Sequence, residues 1–310
     1  MADTSDEWVD GRAIGRAADF IWRNGRLLDR HRFAHLFRDG SVAPVLAALR
    51  AYQNPDGGFG HALEPDLRGG ASQPVPAEHA LLILDEVDRF EDPMVSAICV
   101  WLDSITTDEG GVPFVLSTVS EGPHAPWWVP TGKASLNPTA GIAGLLHKHS
   151  VAHRWLDRAT AYCWRVLPEQ RALLGPDDAI TVLTFLEYVP DRAAAEAEFA
   201  LVGQRILSDL VALDPATPGY VHTPLEFAAR PDSLGRRLFD TATIERHLAA
   251  LTAKQEADGG WPITWEPPSP AAVYEWRAFR TIKWLSALRS YGRLEGGDPH
   301  QRLTREAESS

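Results

Sequence analysis

The sequence predicts an all-α protein of about six helical hairpins, and three observations support this prediction. Apolar residues recur with helical spacing along most of the chain, whereas the alternation typical of strands is nearly absent. A seven-residue turn near the front of the chain returns near its end. Long connections between helical segments alternate with short ones, which indicates a helical barrel with one elaborated end and one plain end.

The repeated turn reads Gln-Asn-Pro-Asp-Gly-Gly-Phe at 53–59 and Gln-Glu-Ala-Asp-Gly-Gly-Trp at 255–261. Paired glycines permit the positive backbone angles of a tight turn, and the preceding Asp can accept a hydrogen bond from its own backbone. Weaker copies stand at 108–113 and 218–220. Because the copies follow helical segments, we interpret the turn as a structural joint between helices.

The helical segments begin at Pro- or Asp-containing sequences that favour a first helical turn. The long connections cover 56–76, 110–136 and 214–234, and the short ones lie at 89–92, 150–151 and 190. The predicted helices cover residues 11–29, 41–53, 74–88, 93–105, 137–149, 152–166, 177–189, 191–213, 239–256 and 269–291, with a short or irregular one near 224–236.

We expect one domain over residues 9–294, because the repeat spans most of the chain. Residues 1–8 and 295–310 are polar and are predicted to be frayed or disordered.

Composition excludes several classes of protein. The net charge of −12 argues against a nucleic-acid partner, since phosphate binding needs a concentrated basic face, and it also disfavours an anionic membrane surface. Two cysteines are too few for a disulfide framework or a Cys-rich zinc site. No apolar run approaches the roughly 20 residues that span a bilayer, and no signal peptide is recognisable. We therefore expect a cytoplasmic protein without a transmembrane segment.

The Gln-x3-Gly-Gly-Phe/Trp turns resemble the QW-type repeats of the terpenoid cyclase and protein prenyltransferase superfamily, which includes squalene-hopene cyclases. The likeness is strong over Gln53–Phe59 and Gln255–Trp261. Over the rest of 35–292 it rests only on the order and spacing of the predicted helices. It implies a single α/α toroid, a ring of inner helices within a ring of outer helices, around an apolar cavity. In that superfamily the cavity holds isoprenoid chains, so an apolar small-molecule substrate or ligand is implied.

The same resemblance indicates a candidate acid. Cyclases that begin by protonation use an Asp-x-Asp-Asp-Thr motif at the start of an inner helix, and the nearest match here is Gly175-Pro-Asp177-Asp178-Ala-Ile. Asp177 takes the acid position on that alignment and Asp178 the following one, but Gly175 and Ala179 replace the first Asp and the Thr. The competing interpretation is that Pro-Asp-Asp only starts a helix.

Two further groups of ionisable residues are candidates from their own sequence context. His61, Glu64, Asp66 and Arg68 lie within eight residues, between glycines and prolines, where a carboxyl group with a tuned pKa or a substrate clamp is expected. Part of this pattern recurs after the other turns, so the alternative is turn architecture. Glu78 and His79 enter an apolar helix and suit an acid and its partner at a cavity mouth, or else simple capping of an exposed first turn.

Aromatic residues supply the remaining candidates. Trp127 and Trp128 lie in a Pro-rich connection and are predicted to form a lid or cavity rim. Trp261, Trp265 and Trp276 cluster in the last repeat, where ring faces can line an apolar cavity or stabilise a passing carbocation. The alternative for each single tryptophan is a place in the core.

The first hypothesis is an enzyme, an isomerase or lyase of the terpene cyclase type, that cyclises an isoprenoid or polyene chain by acid catalysis. It needs no cofactor and no metal site, and Mg²⁺ enters only for a diphosphate substrate. A non-catalytic toroid that binds an apolar ligand or a protein partner remains open. So does an α/α-barrel enzyme that acts on a carbohydrate with two carboxylates. The oligomeric state is left open by the sequence.

Overall fold

A computed structural model describes residues 11–294, and within that range it contains α-helices joined by loops, with only isolated β-bridges. The expectations for residues 1–8 and 295–310 lie outside the described residues. The helices are α1 (Gly11–Asn24), α2 (Leu27–Phe37), α3 (Ala43–Arg50), α4 (Pro74–Glu86), α5 (Pro93–Ile105), α6 (Leu136–Lys148), α7 (Arg154–Gln170), α8 (Pro176–Tyr188), α9 (Arg192–Arg205), α10 (Pro224–Phe227), α11 (Thr241–Ala253) and α12 (Pro270–Ser290).

The even-numbered helices form an inner ring and the odd-numbered helices an outer one. Helix α4 packs on α6, α6 on α8, α8 on α10, and α12 on α2. The Nε of Arg32 in α2 donates to Glu86 Oε2 in α4 at 2.7 Å, and this bond links α2 to α4 in the inner ring. The prediction of an all-α toroid is therefore confirmed.

The repeated turn has the same geometry in both strong copies and is called the clasp below. In the first clasp, Gln53–Phe59, the Gln53 Nε2 donates to the Gly57 carbonyl at 3.1 Å and the Gly58 N–H donates to Asp56 Oδ1 at 2.8 Å. In the last clasp, 255–261, the corresponding distances are 2.9 and 3.0 Å. The weaker copy at 107–111 repeats the backbone bonds of the same turn.

Each clasp packs against the next outer helix along the ring. Gly57, Gly110 and Gly259 have φ angles of +92°, +98° and +94°. A Cβ at these positions would lie 2.6, 3.0 and 2.1 Å from backbone carbonyl oxygens of α5, α7 and α1, respectively. Glycine is thus required both by the backbone angle and by the contact. Since the last clasp rests on α1, it closes the toroid.

The predicted helix over 11–29 is wrong, because the structure has two helices there. Gly25 and Arg26 interrupt the helix, and α2 begins at Leu27, a helix that the sequence pattern does not indicate. Its buried face contains Asp29 and Arg32 beside Leu28 and Phe33. Two buried charges break the apolar stripe by which an amphipathic helix is recognised.

The other differences are smaller. Helix α9 ends at Arg205 and continues as a π-type turn over Ile206–Leu210, so the predicted segment 191–213 is shorter. The irregular segment at 224–236 consists of α10 and a 3₁₀ turn over Leu234–Leu238. Within residues 11–294 no helix is long and apolar enough to cross a membrane.

The contact between the last clasp and α1 predicts a difference in stability between two glycine variants. Gly259→Ala combines a positive φ with a Cβ 2.1 Å from the Arg16 carbonyl oxygen, whereas Gly219→Ala has a φ of +89° and nothing within 4 Å. We expect Gly259→Ala to lower the free energy of unfolding by roughly 2–5 kcal/mol and Gly219→Ala by about 1 kcal/mol. Urea unfolding of both variants measures the difference, and equal losses would show that the clasp contact does not hold the ring.

Candidate functional site

The N-terminal halves of the inner helices carry the ionisable and aromatic side chains of the candidate site. Long connections lead into α4, α6, α10 and α12, and proline stands in the first turn of α4, α8, α10 and α12. This places their N-termini at the elaborated end of the toroid. Burial apart, the charge of Asp177 on α8 raises the pKa of both Glu78 on α4 and Lys283 on α12, so all three helices come close to Asp177.

Glu78 has the most unusual environment of the predicted residues. It is 8% exposed, and no hydrogen-bond or ion-pair partner of its carboxyl group lies among residues 11–294. Burial, followed by the charge of Asp177, raises its pKa to about 8. Gly141 on α6 makes room for the carboxyl group, because a Cβ there would lie 1.9 Å from Glu78 Oε1. At neutral pH Glu78 is therefore an uncharged acid.

Asp177 has the opposite protonation preference. The His222 ring and the Tyr220 hydroxyl bond to its carboxylate at 2.9 and 3.2 Å. Desolvation by the surrounding helices raises its pKa, but these hydrogen bonds outweigh it, and the net pKa lies below the usual value. Its side chain is 60% exposed. The ionised Asp177 does not fit the neutral-acid role that the motif alignment implies.

Asp178 holds the start of α8. Its Oδ2 accepts a hydrogen bond from the Gly175 N–H at 2.9 Å. Burial raises the pKa of Asp178 above its usual value, although the hydrogen bonds from Gly175 and Asn137 oppose that shift. The carboxylate thus serves the helix terminus, as the competing interpretation of Pro-Asp-Asp predicts.

A buried ion cluster lies beside Asp177. Glu226 on α10 accepts from Arg280 and from Lys283, whose Nζ lies 2.5 Å from Glu226 Oε2. Burial raises the pKa of Glu226, but the two cations outweigh it and hold the pKa well below its usual range. The cluster joins α10 to α12.

Aromatic rings form a continuous wall across this end of the toroid. Tyr220 contacts Trp265 at 5.8 Å between centroids, and Trp265 contacts Trp276 at 5.2 Å. Trp276 in turn contacts Phe279 at 5.6 Å, and His79 stacks on Phe279 at the same distance. Burial lowers the pKa of His79 to about 3, so its ring is neutral and behaves as one more aromatic surface.

Glu64 and Asp66 lie behind this wall and are each 2% exposed. The Trp265 Nε1 donates to Asp66 Oδ2 at 3.3 Å, and the Trp276 indole nitrogen lies near the same carboxyl group without completing a hydrogen bond. Burial and the neighbouring Asp66 raise the pKa of Glu64 well above its usual value. Glu64 Oε2 and Asp66 Oδ1 are enclosed and have no partner among the described residues.

The backbone before these carboxyl groups is strained. His61 and Ala62 have φ angles of +57° and +61°, which non-glycine residues rarely adopt. The Arg26 guanidinium donates to the carbonyls of Ala62 and Leu63 at 2.8 and 3.0 Å and so stabilises the turn. Strained backbone of this kind concentrates at functional sites.

Arg68 connects the same loop to the last inner helix. Its guanidinium makes a bidentate ion pair with Glu275 on α12, at 2.6 and 3.2 Å. The pair crosses from loop 62–72 to the residue before Trp276. Arg68 therefore fastens the loop over the aromatic wall and is not itself free to bind an anion.

The other predicted residues lie outside this group. Trp261 is 1% exposed in the core, and its indole donates to the Leu251 carbonyl at 2.9 Å. His61 is exposed and bonds Asn54 Oδ1 at 2.8 Å within the first clasp. Trp128 is buried in a small second core of the long loops, whereas Trp127 is 45% exposed. The pair thus forms part of the elaborated end, apart from the aromatic wall.

Buried polar atoms that lack a partner concentrate at the site. Of ten such atoms in the described residues, six belong to the ion cluster, the aromatic wall and the carboxyl groups beside it: Glu64 Oε2, Asp66 Oδ1, His79 Nδ1, His222 Nδ1, Trp276 Nε1 and Arg280 Nε. Because buried polar groups are nearly always hydrogen-bonded, such a concentration indicates a site organised for function. No group of three or more His, Cys, Asp or Glu side chains within 11–294 could hold a metal ion.

Sequence reasoning gave little weight to Tyr220, His222 and Glu226, and none to Arg280 and Lys283. The first three stood out only as echoes of the residues after the first clasp, and were interpreted as turn architecture. The available signal for the other two was their spacing on α12, where Trp276, Arg280 and Lys283 place polar and aromatic groups on one face of a long helix.

Comparison with known proteins supports the fold. No protein-family model matches the sequence, and no curated protein matches it. A protein of Actinoplanes with a crystal structure has 16% identity and a TM-score of 0.59, covering 91% of this chain and 99% of that one. The type II terpene cyclase MstE from Scytonema has 14% identity and a TM-score of 0.53, with the same coverage.

A variant of MstE in complex with merosterolic acid A, its product, has 15% identity and a TM-score of 0.51, covering 91% of this chain and 97% of that one. The chain has a terpene cyclase-like fold. At these identities the likeness shows the fold alone.

The environment of Glu78 predicts a pH dependence of stability. The pKa of Glu78 is about 8 in the folded protein, above its ordinary value of 4.5. Below pH 4.5 Glu78 is protonated in both the folded and the unfolded protein, so its titration does not lower the free energy of unfolding there. As the pH rises from 4.5 to 8, the unfolded state gains stability by ionising and the folded state does not. Glu78→Gln should therefore gain on the order of 2–5 kcal/mol over the unmodified protein between pH 4.5 and 8.5.

Urea unfolding at the two pH values measures this gain. Glu91→Gln is the matched control, because the Glu91 side chain is 75% exposed on a short connection. A pH dependence that Glu78→Gln leaves unaltered would contradict the assigned protonation state.

Proposed function

We propose that the protein cyclises an isoprenoid or polyene chain by acid catalysis, with Glu78 as the proton donor. The observation that supports this most is the buried carboxyl group of Glu78, which has no hydrogen-bond or ion-pair partner among the described residues and lies against Gly141 on α6. Burial raises its pKa to about 8, so it carries its proton at neutral pH. An alkene or epoxide is a weak base, so its protonation requires an acid that is already protonated in the resting enzyme. We also propose that the two clasps, at 53–59 and 255–261, are QW-type repeats.

The surroundings of Glu78 suit the cation that protonation would generate. The faces of Tyr220, Trp265 and Trp276 carry negative electrostatic potential and attract a carbocation. The ionised Asp177 adds a fixed negative charge near the donor. The rings and Asp177 are in place before the substrate binds and stabilise the cation. The same Asp177 charge keeps Glu78 protonated until the substrate arrives.

The other predicted carboxyl groups take supporting roles in this proposal. Glu64 Oε2 and Asp66 Oδ1 are enclosed, so neither oxygen is available to a substrate, and Asp66 instead orients Trp265. Asp178 caps α8. These roles assign the chemistry to Glu78, with Asp177 as the nearby anion.

A second candidate function rests on the same two carboxyl groups. A neutral Glu78 beside an ionised Asp177 is the pairing of acid and base that glycoside hydrolysis uses, and Trp265 and Tyr220 could stack on a sugar ring. The terpene cyclase-like fold favours the first function. Release of a sugar from aryl glycosides would favour the second.

Incubation in D₂O distinguishes the mechanisms. The probes are geranyl, farnesyl and geranylgeranyl diphosphates, with and without Mg²⁺, and geranylgeranyl dihydroxybenzoate, the substrate in a complex with an MstE variant. Acid-initiated cyclisation should give a cyclic product that retains its head group and gains one deuterium where the alkene was protonated. Release of pyrophosphate would indicate ionisation instead, and tight binding without turnover would indicate a non-catalytic toroid.

Variants at the donor test its role. Glu78→Gln should lower turnover at least about 100-fold, because the amide cannot transfer a proton, and Glu91→Gln should leave it unchanged. Gly141→Ala should lower turnover about ten- to 100-fold by displacing the Glu78 carboxyl group, which a Cβ at Gly141 would approach to 1.9 Å. Turnover of the unmodified enzyme should fall above pH 8 as Glu78 ionises. Mass spectrometry of the products measures turnover of both variants and its pH dependence in the unmodified enzyme. Full activity of Glu78→Gln would refute the assignment of Glu78 as the proton donor.

A further inference from the structure

Two large apolar side chains are exposed where α1 ends and α2 begins. Trp22 is 63% exposed and Leu27 is 62% exposed, on either side of the break at Gly25. The Arg30 guanidinium lies over the Trp22 ring, 5.8 Å from its centroid. An indole that is exposed on one side and covered by a guanidinium on the other is an unusual feature for a surface that only meets water.

The same segment is basic, although the chain as a whole is acidic. Residues 12–38 contain seven Arg and two Asp, a net charge of +5 in a chain whose net charge is −12. One of the two acids, Asp29, is buried and is bound by Arg26 and Arg32. Asp19 is the other, and it lies on the exposed face of α1.

Arg23 and Arg30, next to Trp22 and Leu27, and Arg16, nearer the start of α1, have no carboxylate partner among residues 11–294. Arg16 donates to the Gln255 side chain, Arg30 donates to the Gly25 carbonyl, and Arg23 is exposed without an ion pair. The carboxylates of the neighbouring clasp, Glu256 and Asp258, are both bound by Arg277. The positive charge of the three arginines is therefore available to an anionic partner.

We propose that Trp22, Leu27, Arg16, Arg23 and Arg30, together the docking patch, bind the surface of an anionic lipid bilayer. Tryptophan favours the boundary between head groups and acyl chains, and leucine favours the acyl side. Unpaired arginines attract anionic head groups over about one Debye length, roughly 10 Å, so the distant negative charge of the protein is largely screened. A nucleic acid would use the arginines but gives no reason for the exposed Leu27.

The position of the docking patch agrees with this role. Arg26, between Trp22 and Leu27, bonds the carbonyls of Ala62 and Leu63 in the loop that carries Glu64 and Asp66. The patch therefore lies at the elaborated end of the toroid, beside the candidate site. The inference does not depend on the proposed reaction, since it concerns where the protein binds and not what it converts.

Vesicle flotation tests the proposal on the full chain. The vesicles consist of phosphatidylcholine alone or with about one third phosphatidylserine. We expect binding only to the anionic vesicles, weakened by added salt. The double variants Trp22→Ser/Leu27→Ser and Arg23→Gln/Arg30→Gln should each weaken binding at least about tenfold.

The matched control is Leu173→Ser/Lys133→Gln, which removes an 80% exposed leucine and an exposed lysine outside the docking patch. It should bind like the unmodified protein, as should Glu78→Gln, and circular dichroism verifies that each variant is folded. The proposal fails if the anionic vesicles are not bound or if the control weakens binding as much as the patch variants. It also fails if duplex DNA, and not the vesicles, requires Arg23 and Arg30.

Discussion

The contact between the last clasp and α1 is the constraint on which the rest of the structure depends. Gly259 lies against the backbone of α1 with no room for a Cβ, and Gln255 bonds the Ala13 carbonyl at 2.9 Å. Only a closed ring directs the N-termini of α4, α8 and α12 toward one another.

Within the ring, charge compensation decides which groups are available for chemistry. Arg32 is bound by Asp29 and Glu86, Arg68 by Glu275, and two cations share Glu226, so each of these charges is satisfied. Buried charges are tolerated only when paired in this way. Glu78 has no such partner among residues 11–294, and it avoids the cost of burial by keeping its proton. The lack of a partner is thus what leaves this carboxyl group able to donate a proton at neutral pH.

The sequence predicts the parts of this molecule that local chemistry determines. The clasps follow from Gln, Asp and paired glycines within seven residues, and proline at the helix starts predicts where α4 and α8 begin. Helix α2 could not be predicted, because its buried Asp29 and Arg32 break the apolar stripe and the partner of Arg32, Glu86, lies 54 residues away in the sequence. For the same reason the exceptional pKa of Glu78 is invisible in the sequence: it depends on Gly141 from α6 and Asp177 from α8, at separations that no local pattern records.

The ion pairs of the interior also constrain how the protein could recognise the head group of a substrate. An enzyme that recognised an anionic head group by direct pairing would need a free buried cation, yet Arg68, Arg280 and Lys283 are already bound by carboxylates. Binding at the aromatic wall can instead rest on apolar contact and ring faces, which place no demand on head-group charge. Selectivity would then come from the arrangement of the ring faces themselves. On this view Gly141 is as necessary for proton transfer as Glu78, because the space that its missing Cβ leaves determines the position of the Glu78 carboxyl group.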